Sequence, residues 1–92
     1  QYFNMNPEEI KKFIETKITR KDKYVKIEFS KREAMYGIFI ADADYRDLSA
    51  KDFWRIVTSK NFDAYNKTKD VNLAKLFNGS EFSRLSLLSD EF

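Results

Sequence analysis

Cysteine and histidine are both absent from this chain of 92 residues. The lack of cysteine excludes disulfide bonds, zinc–thiolate sites and thiol nucleophiles. The lack of histidine removes the commonest general base and the commonest protein ligand for metals. The chain has only two glycines, Gly37 and Gly79, so it contains no glycine-rich loop that could hold a phosphate group. These absences favour a binding protein without a cofactor over an enzyme.

Long apolar segments are also missing, since no run approaches the roughly 20 residues that a membrane-spanning helix requires. No charged stretch followed by an apolar stretch marks an export signal at the beginning of the chain. Met5 is interpreted as the native initiator, which would make residues 1–4 an artificial leader. We therefore expect a cytoplasmic protein with no membrane partner.

Hydrophobic residues make up 42% of the chain, enough for the core of one small domain. We place this domain at residues 5–88, with 89–92 as a tail. The net charge of +2 is unevenly distributed, because nine Lys or Arg accompany three Asp or Glu between Lys11 and Arg32. Such a basic segment can attract phosphate groups or an acidic part of another subunit. The plain alternative is a solvated helix face followed by a solvated strand edge.

Helix-start signals are concentrated at Asn6–Glu9. Asn6 can cap the first turn, Pro7 is tolerated at the first helical position, and Glu9 completes a capping box. Beyond them, four apolar residues recur at helical spacing and form one stripe. The sequence therefore predicts a helix over residues 7–19 that covers an apolar surface. The stripe consists of Ile10, Phe13, Ile14 and Ile18.

Apolar, aromatic and β-branched runs predict five strands after the helix, at about 24–29, 34–41, 53–58, 72–77 and 82–88. The second run is apolar on both faces, which indicates a central strand, and Gly37 inside it needs a packing or a bending reason. Asn78-Gly79 predicts a two-residue hairpin turn with positive φ between the last two strands. The fold class is therefore α+β, with an antiparallel sheet closed into a small barrel or strongly bent. The predicted core contains Val25, Ile27, Phe29, Ile38, Ile40, Ile56, Leu73, Phe77 and Leu85.

Two polar connections complete the prediction. The first, residues 42–52, is expected to be a loop with at most one helical turn started by Ser49, and the second, 59–70, a connection with a short helix. Asp42, Asp44 and Asp47 form the densest acidic cluster, but a calcium loop needs an oxygen ligand where Arg46 stands and a glycine that is missing. We therefore expect no metal site there.

Aromatic and basic residues are interleaved along the strands and loops. This combination suits single-stranded nucleic acid, whose bases stack on rings while Lys or Arg meets phosphate. Tyr45 is the best candidate, because a ring in a polar loop has the least structural reason to be there. The rings are Tyr24, Tyr36, Tyr45, Trp54 and Tyr65, and the nearby cations are Lys23, Lys26, Arg46, Arg55 and Lys67.

Two segments resemble the motifs of the Sm-like family of small β-barrels. Residues 23–44 (KYVKIEFSKREAMYGIFIADAD) combine an apolar strand, a polar turn, and a strand with an internal glycine that leads to Asp. Residues 76–87 (LFNGSEFSRLSL) combine an apolar strand, a turn with glycine, and a final strand. Asn78 stands where the family usually has Arg or Lys, and Arg46 stands near the position of its loop Asn.

The resemblance implies a bent barrel, a ring of subunits, and uridine-rich RNA bound at the pore. We therefore expect a non-catalytic module that binds single-stranded RNA. A protein-interaction or regulatory module is the alternative, because a generic SH3-like barrel would share the same layout, and a different α+β arrangement also remains open. An enzyme acting through carboxylates or lysines is the third choice. The predicted RNA-binding residues are Tyr45, Arg46, Asn78, Gly79, Lys21 and Lys23.

An open sheet leaves two edge strands that can pair with another chain. The last predicted strand, 82–88, contains no proline and carries Arg84 as its only charge, so it is poorly protected. The sequence therefore predicts a homo-oligomer joined through edge strands.

Overall fold

A computed structural model describes residues 4–91 of the chain. The proposed leader, residues 1–4, lies outside the described residues except for Asn4. The predicted tail instead belongs to a 3₁₀ turn at Leu88–Glu91, apart from the last residue, which is not described. None of the described helices has the length and apolar character needed to cross a membrane.

The first helix, α1, runs from Pro7 to Lys17. Its capping box is formed as predicted, since the Glu9 amide donates to Asn6 Oδ1 (2.9 Å) and the Asn6 amide donates to Glu9 Oε1 (3.0 Å). The helix ends earlier than expected because Ile18 adopts an extended conformation. The next residues form a turn in which the Asp22 amide donates to Thr19 Oγ1 at 3.0 Å.

Five antiparallel strands form one sheet, so the α+β fold class is confirmed. Two further short helices, α2 and α3, lie in the polar connections. The predicted short helix in 59–70 is confirmed, whereas the expected loop at 42–52 contains a six-residue helix in which Ser49 lies near the end, not the start. The elements are β1 (Tyr24–Phe29), β2 (Met35–Ile40), α2 (Tyr45–Ala50), β3 (Phe53–Thr58), α3 (Phe62–Thr68), β4 (Lys75–Asn78) and β5 (Phe82–Leu87).

The strand order is β4-β3-β2-β1-β5, which makes β4 and β5 the two edges of the sheet. The hairpin predicted at Asn78-Gly79 is therefore wrong, because the strands on either side of it do not pair. Gly79 has no positive φ, and a 3₁₀ turn at Gly79–Glu81 joins the strands instead. The Asn78 side chain begins this turn by accepting the Ser80 amide at 2.8 Å.

This short connection bends the sheet. In a flat five-stranded sheet the two edges would lie about 19 Å apart, whereas a 3₁₀ turn of this length spans only about 8 Å. The two edges must therefore approach each other at this corner. A bulge between Glu28 and Phe29, opposite β5, supplies part of the curvature. The sheet itself is open, because β4 and β5 do not pair, and the short corner accounts for the bend expected from the sequence.

The core lies on the concave face of the sheet and is covered by α1. Ile10 of the predicted stripe is fully buried, and the three other stripe residues pack against the core. Gly37 has a packing reason, since a Cβ there would collide with the Ile56 side chain of the neighbouring strand. Six predicted core residues are buried, while Ile40, Leu73 and Phe77 are half-buried. The sequence analysis did not include Trp54, Val57, Phe82 and Leu87, which are also buried.

The convex face is covered only in part. Tyr24, Ile38 and Val57 lie side by side on it across three strands. The Tyr24 ring contacts the Phe62 ring of α3, with 4.9 Å between centroids. Ile38 and Val57 are buried as a result, so α3 protects this part of the convex face.

Candidate nucleic-acid interface

Four of the six predicted RNA-binding residues lie at or beside one packed joint, which we name the Trp54 corner (Tyr45, Asp52, Trp54 and Gly79). The Trp54 indole is buried and its N–H donates to Asp52 Oδ1 at 2.8 Å. The Gly79 amide donates to the Asp52 carbonyl at 2.9 Å. A Cβ at Gly79 would collide with the Asp52 carboxylate and lie 2.6 Å from Trp54 Nε1. Glycine is therefore required here by close packing.

Tyr45 is the first residue of α2, not a ring in a loop. Its half-buried ring packs edge to face with the Trp54 ring, with 6.2 Å between centroids. Its hydroxyl donates to Glu15 Oε2 of α1 at 3.3 Å. Burial, followed by the nearby Glu15 carboxylate, raises the pKa of Tyr45 to about 12. This ring thus has a structural role, which weakens the reason for choosing it as a base-stacking residue.

The other two residues of this group lie beside the corner. Arg46 is exposed on α2 and lines a shallow groove with Glu8 and Lys11 of α1. Asn78 already uses its side-chain oxygen to begin the turn before β5. Asn78 carries no charge, and the positive charge of Arg46 is offset by the Glu8 carboxylate that lines the same groove. Neither residue therefore makes the corner strongly basic.

Lys21 and Lys23 lie in the turn between α1 and β1, and they line two different grooves. Lys21 lies with Asp22, Tyr24 and Leu88 near the end of β5. Lys23 lines a larger groove with residues from β2 and α3. The structure therefore does not gather the six predicted residues into one site.

The larger groove has a volume of about 600 Å³ and is the most basic of those described. We name it the basic groove and define it by Arg20, Lys23, Tyr65 and Lys69. It is also lined by the end of β2 and the residue that follows it, residues 38–41. No acidic residue is found among the described residues that line it. The groove therefore offers three cations and the Tyr65 ring to a ligand from solvent.

A hydrogen-bond network holds Lys23 at the wall of the groove. The Lys23 ammonium donates to Asn66 Oδ1 at 2.7 Å, and Asn66 Nδ2 donates to the Tyr24 hydroxyl at 2.9 Å. Asn66 belongs to α3, so this network joins α3 to the start of β1. The Tyr24 ring is fixed in turn by its contact with Phe62. Lys23 is thus a positioned cation.

Lys69, which also lines the groove, ends α3 in a left-handed conformation, with φ 56°. Its amide donates to the Tyr65 carbonyl at 2.7 Å. Its ammonium lies over the Tyr65 ring, 5.2 Å from the centroid, within the range of a cation–π interaction. The two residues therefore form one unit on the surface of the groove.

The sequence analysis chose only Lys23 among these four residues. Arg20 lies within the basic segment that it identified, and Tyr65 was among the rings that it considered. Tyr65 and Lys69 are four residues apart, which places them on the same side of a helix. That spacing was the available signal for the pair. The sequence gives no sign that Tyr65 and Lys69 lie near the turn that holds Lys23, because more than 40 residues separate the two segments.

In the acidic cluster after β2, Asp44 forms an ion pair with Arg55. Asp44 accepts a two-pronged contact from Arg55 of β3, in which Nε lies 3.2 Å from Oδ1. Hydrogen bonding to this guanidinium lowers the pKa of Asp44 and raises that of Arg55. Within residues 4–91, no group of three or more acidic side chains is arranged to hold a metal ion.

An apolar patch lies at the β4 edge, on the convex face. Leu76 is 50% exposed and Phe53 is 37% exposed. Because Leu76 is opposite Arg55 and Phe53 is opposite Asn78, the two apolar side chains are diagonal neighbours on the same face. We name these two residues the β4-edge patch.

Comparisons with known proteins add no assignment to this geometry. No protein-family model, curated protein or solved structure matches the chain.

Proposed function

We propose that this protein is a non-catalytic, cytoplasmic module that binds single-stranded RNA through its basic groove. The observation that carries the proposal is the convergence of Arg20, Lys23 and Lys69 around the Tyr65 ring, with no acidic lining residue among those described. The resemblance to the Sm-like family in the sequence suggests the same class of ligand, although this groove was not identified from it.

The chemistry of the groove suits an unpaired strand better than a small neutral ligand. Cations that contact phosphates release bound counterions from the nucleic acid, which contributes much of the binding free energy. An aromatic ring beside them can stack on a base, and such stacking tolerates any base sequence. Burying the groove against a neutral ligand would instead desolvate three charges without compensation.

A binding assay with matched charge removals tests the proposal. Fluorescence anisotropy is measured with labelled uridine-rich and mixed oligonucleotides, from low to physiological salt. The double substitution Arg20→Ser with Lys23→Ser should weaken binding and reduce the salt slope by about 1.4, since each phosphate contact contributes roughly 0.7 for single strands. The control is Lys11→Ser with Arg46→Ser, which removes the same charge from the groove beside α2.

Three results would contradict the proposal. Absence of oligonucleotide binding by the unmodified protein, even at low salt, would reject RNA as the ligand. Equal weakening by both double variants would show that binding depends on net charge and not on the basic groove. If only the variant Lys11→Ser with Arg46→Ser binds RNA more weakly, the result would instead support the site predicted from the sequence around Tyr45.

A second candidate function, a protein-interaction module, is favoured by the β4-edge patch. An exposed leucine beside an unpaired strand edge is a surface that another strand can cover. This patch also supports the predicted homo-oligomer, since a second copy could supply that strand. The exposed edge at β4 is thus a candidate contact in addition to β5, where the Met5 amide already donates to the Phe82 carbonyl at 2.8 Å.

Light scattering over a range of protein concentrations tests the oligomer. We expect at least a dimer, and we expect Leu76→Lys to shift it towards monomer by placing a charge in the contact. The control is Tyr36→Lys, which changes another exposed hydrophobic residue of the sheet away from the β4 edge. A monomer at high concentration would reject the homo-oligomer, and equal effects of the two variants would reject the β4 edge as its site.

A further inference from the structure

We propose that Tyr65 and Lys69 form a nucleotide clamp, in which an unpaired base stacks on the Tyr65 ring while Lys69 contacts the adjoining phosphate. This inference rests on the proposed function and names the part of the RNA that the basic groove recognises. The argument begins with the backbone of Lys69.

Lys69 occupies a position that suits glycine better than lysine. Residues that end helices in the left-handed conformation are usually Gly, and sometimes Asn, because a Cβ is strained there. The chain has two non-glycine residues with positive φ among those described, Asp52 and Lys69. The backbone strain at Asp52 is offset by two hydrogen bonds. Its carboxylate accepts the Trp54 indole N–H, and its carbonyl accepts the Gly79 amide.

Lys69 has no comparable compensation from its side chain. The residue is exposed, and its ammonium contacts the Tyr65 ring. No carboxylate among the described residues lies within ion-pair distance of it. A glycine would supply the same backbone bond to the Tyr65 carbonyl with less strain. The cation–π contact offsets only part of this strain, and strained residues of this kind occur at functional sites, which points to a contribution of the lysine to binding.

The groove indicates what that contribution is. Lys69 and Tyr65 line it together with Arg20 and Lys23, so a ligand that fills the groove contacts the pair and the two other cations together. In the free protein, the Lys69 ammonium makes a cation–π contact with the face of the Tyr65 ring. A base that stacks on the ring replaces that contact and leaves the ammonium free for phosphate. Duplex nucleic acid cannot offer an unstacked base, so the clamp selects single strands.

The test compares three substitutions at Lys69 in the full chain. Lys69→Gly should raise Tm by about 4–8 °C through relief of strain, yet reduce the salt slope for oligouridylate by about 0.7. Lys69→Asn should behave similarly, because Asn tolerates this conformation. Lys69→Arg should retain binding. The matched control is Lys67→Gly, which introduces glycine inside α3 and should lower Tm while leaving the salt slope unchanged.

Stacking is tested separately with Tyr65→Leu, which keeps an apolar side chain at the same position. It should weaken binding of oligouridylate about tenfold and should not affect binding of an abasic oligonucleotide of the same charge. Competition by a duplex of equal length should be weak.

The outcomes separate this inference from the function on which it depends. If the unmodified protein binds oligouridylate but Lys69→Gly and Tyr65→Leu bind it equally well, the clamp is rejected and the RNA-binding function stands. If Lys69→Gly lowers Tm, the residue is structural and the inference fails. If the unmodified protein binds no oligonucleotide, the proposed function fails first and the clamp with it.

Discussion

The Trp54 corner and the basic groove contain the same types of residue but use them differently. Each has a tyrosine, Tyr45 or Tyr65, and each has a non-glycine residue in the left-handed conformation, Asp52 or Lys69. In the corner, the tyrosine hydroxyl and the Asp52 carboxylate have partners within the protein. In the groove, the Lys69 ammonium lies over a ring at the surface. The corner is built around the buried Trp54 ring, whereas the Tyr65 ring of the groove is half-buried, and this difference in burial distinguishes a structural joint from a surface open to a ligand.

The largest effect expected from this comparison is on stability. Trp54→Ala should lower the free energy of unfolding by about 3–5 kcal/mol, enough to unfold much of so small a domain. Tyr65→Ala should cost only about 1 kcal/mol, because its ring is half-buried. Urea unfolding monitored by circular dichroism measures both. Similar losses for the two variants would remove the distinction between the corner and the groove.

Gly79→Ala should come next, with a loss of about 1–3 kcal/mol from overpacking. The added Cβ would meet Asp52, Ile10 and Trp54, all held firmly in the corner. The control is Ser80→Ala, which changes the neighbouring exposed residue in the same turn. If Gly79→Ala is as stable as this control, the corner can relax and Gly79 is not required by packing.

A smaller effect is expected from Tyr45 in alkaline solution. Its pKa is raised to about 12 in the folded protein, above the ordinary tyrosine value of about 10. The resulting stability is fully present below pH 10 and is lost as pH rises through 12. The unmodified protein should therefore lose stability relative to Tyr45→Phe between these pH values. A constant difference in urea midpoint between pH 9 and pH 11.5 would contradict the buried position of the hydroxyl.

The smallest effect is expected from the partly exposed pair of Asp44 and Arg55. The pKa of Asp44 is lowered in the folded protein, so its contribution is present above the ordinary aspartate value of about 3.9 and is lost as pH falls below it. Asp44→Asn should be slightly less stable at pH 7 and equal to the unmodified protein near pH 2. Thermal unfolding at both pH values measures this, and a difference that persists in acid would point to a cause other than ionisation.

Much of the fold was predictable from the sequence because its signals are local. The capping box of Asn6 and Glu9 depends on residues three positions apart, and the burial of Val25, Ile27 and Phe29 follows from strand alternation. The candidate site was much less predictable. Tyr45 was chosen for its polar neighbours in the sequence, but its actual neighbours are Trp54 and Glu15, which lie on other elements.

The sequence by itself determined where the helix begins, which residues of β1 turn inward, and that segment 11–32 is basic. These properties arise from backbone caps, side-chain periodicity and charge, which act over a few residues. Only the tertiary structure decided that Asn78 and Phe82 belong to opposite edges of the sheet, because strand pairing depends on contacts between distant segments. It also brought α3 against the start of β1, so that Tyr65 and Lys69 share one groove with Arg20 and Lys23.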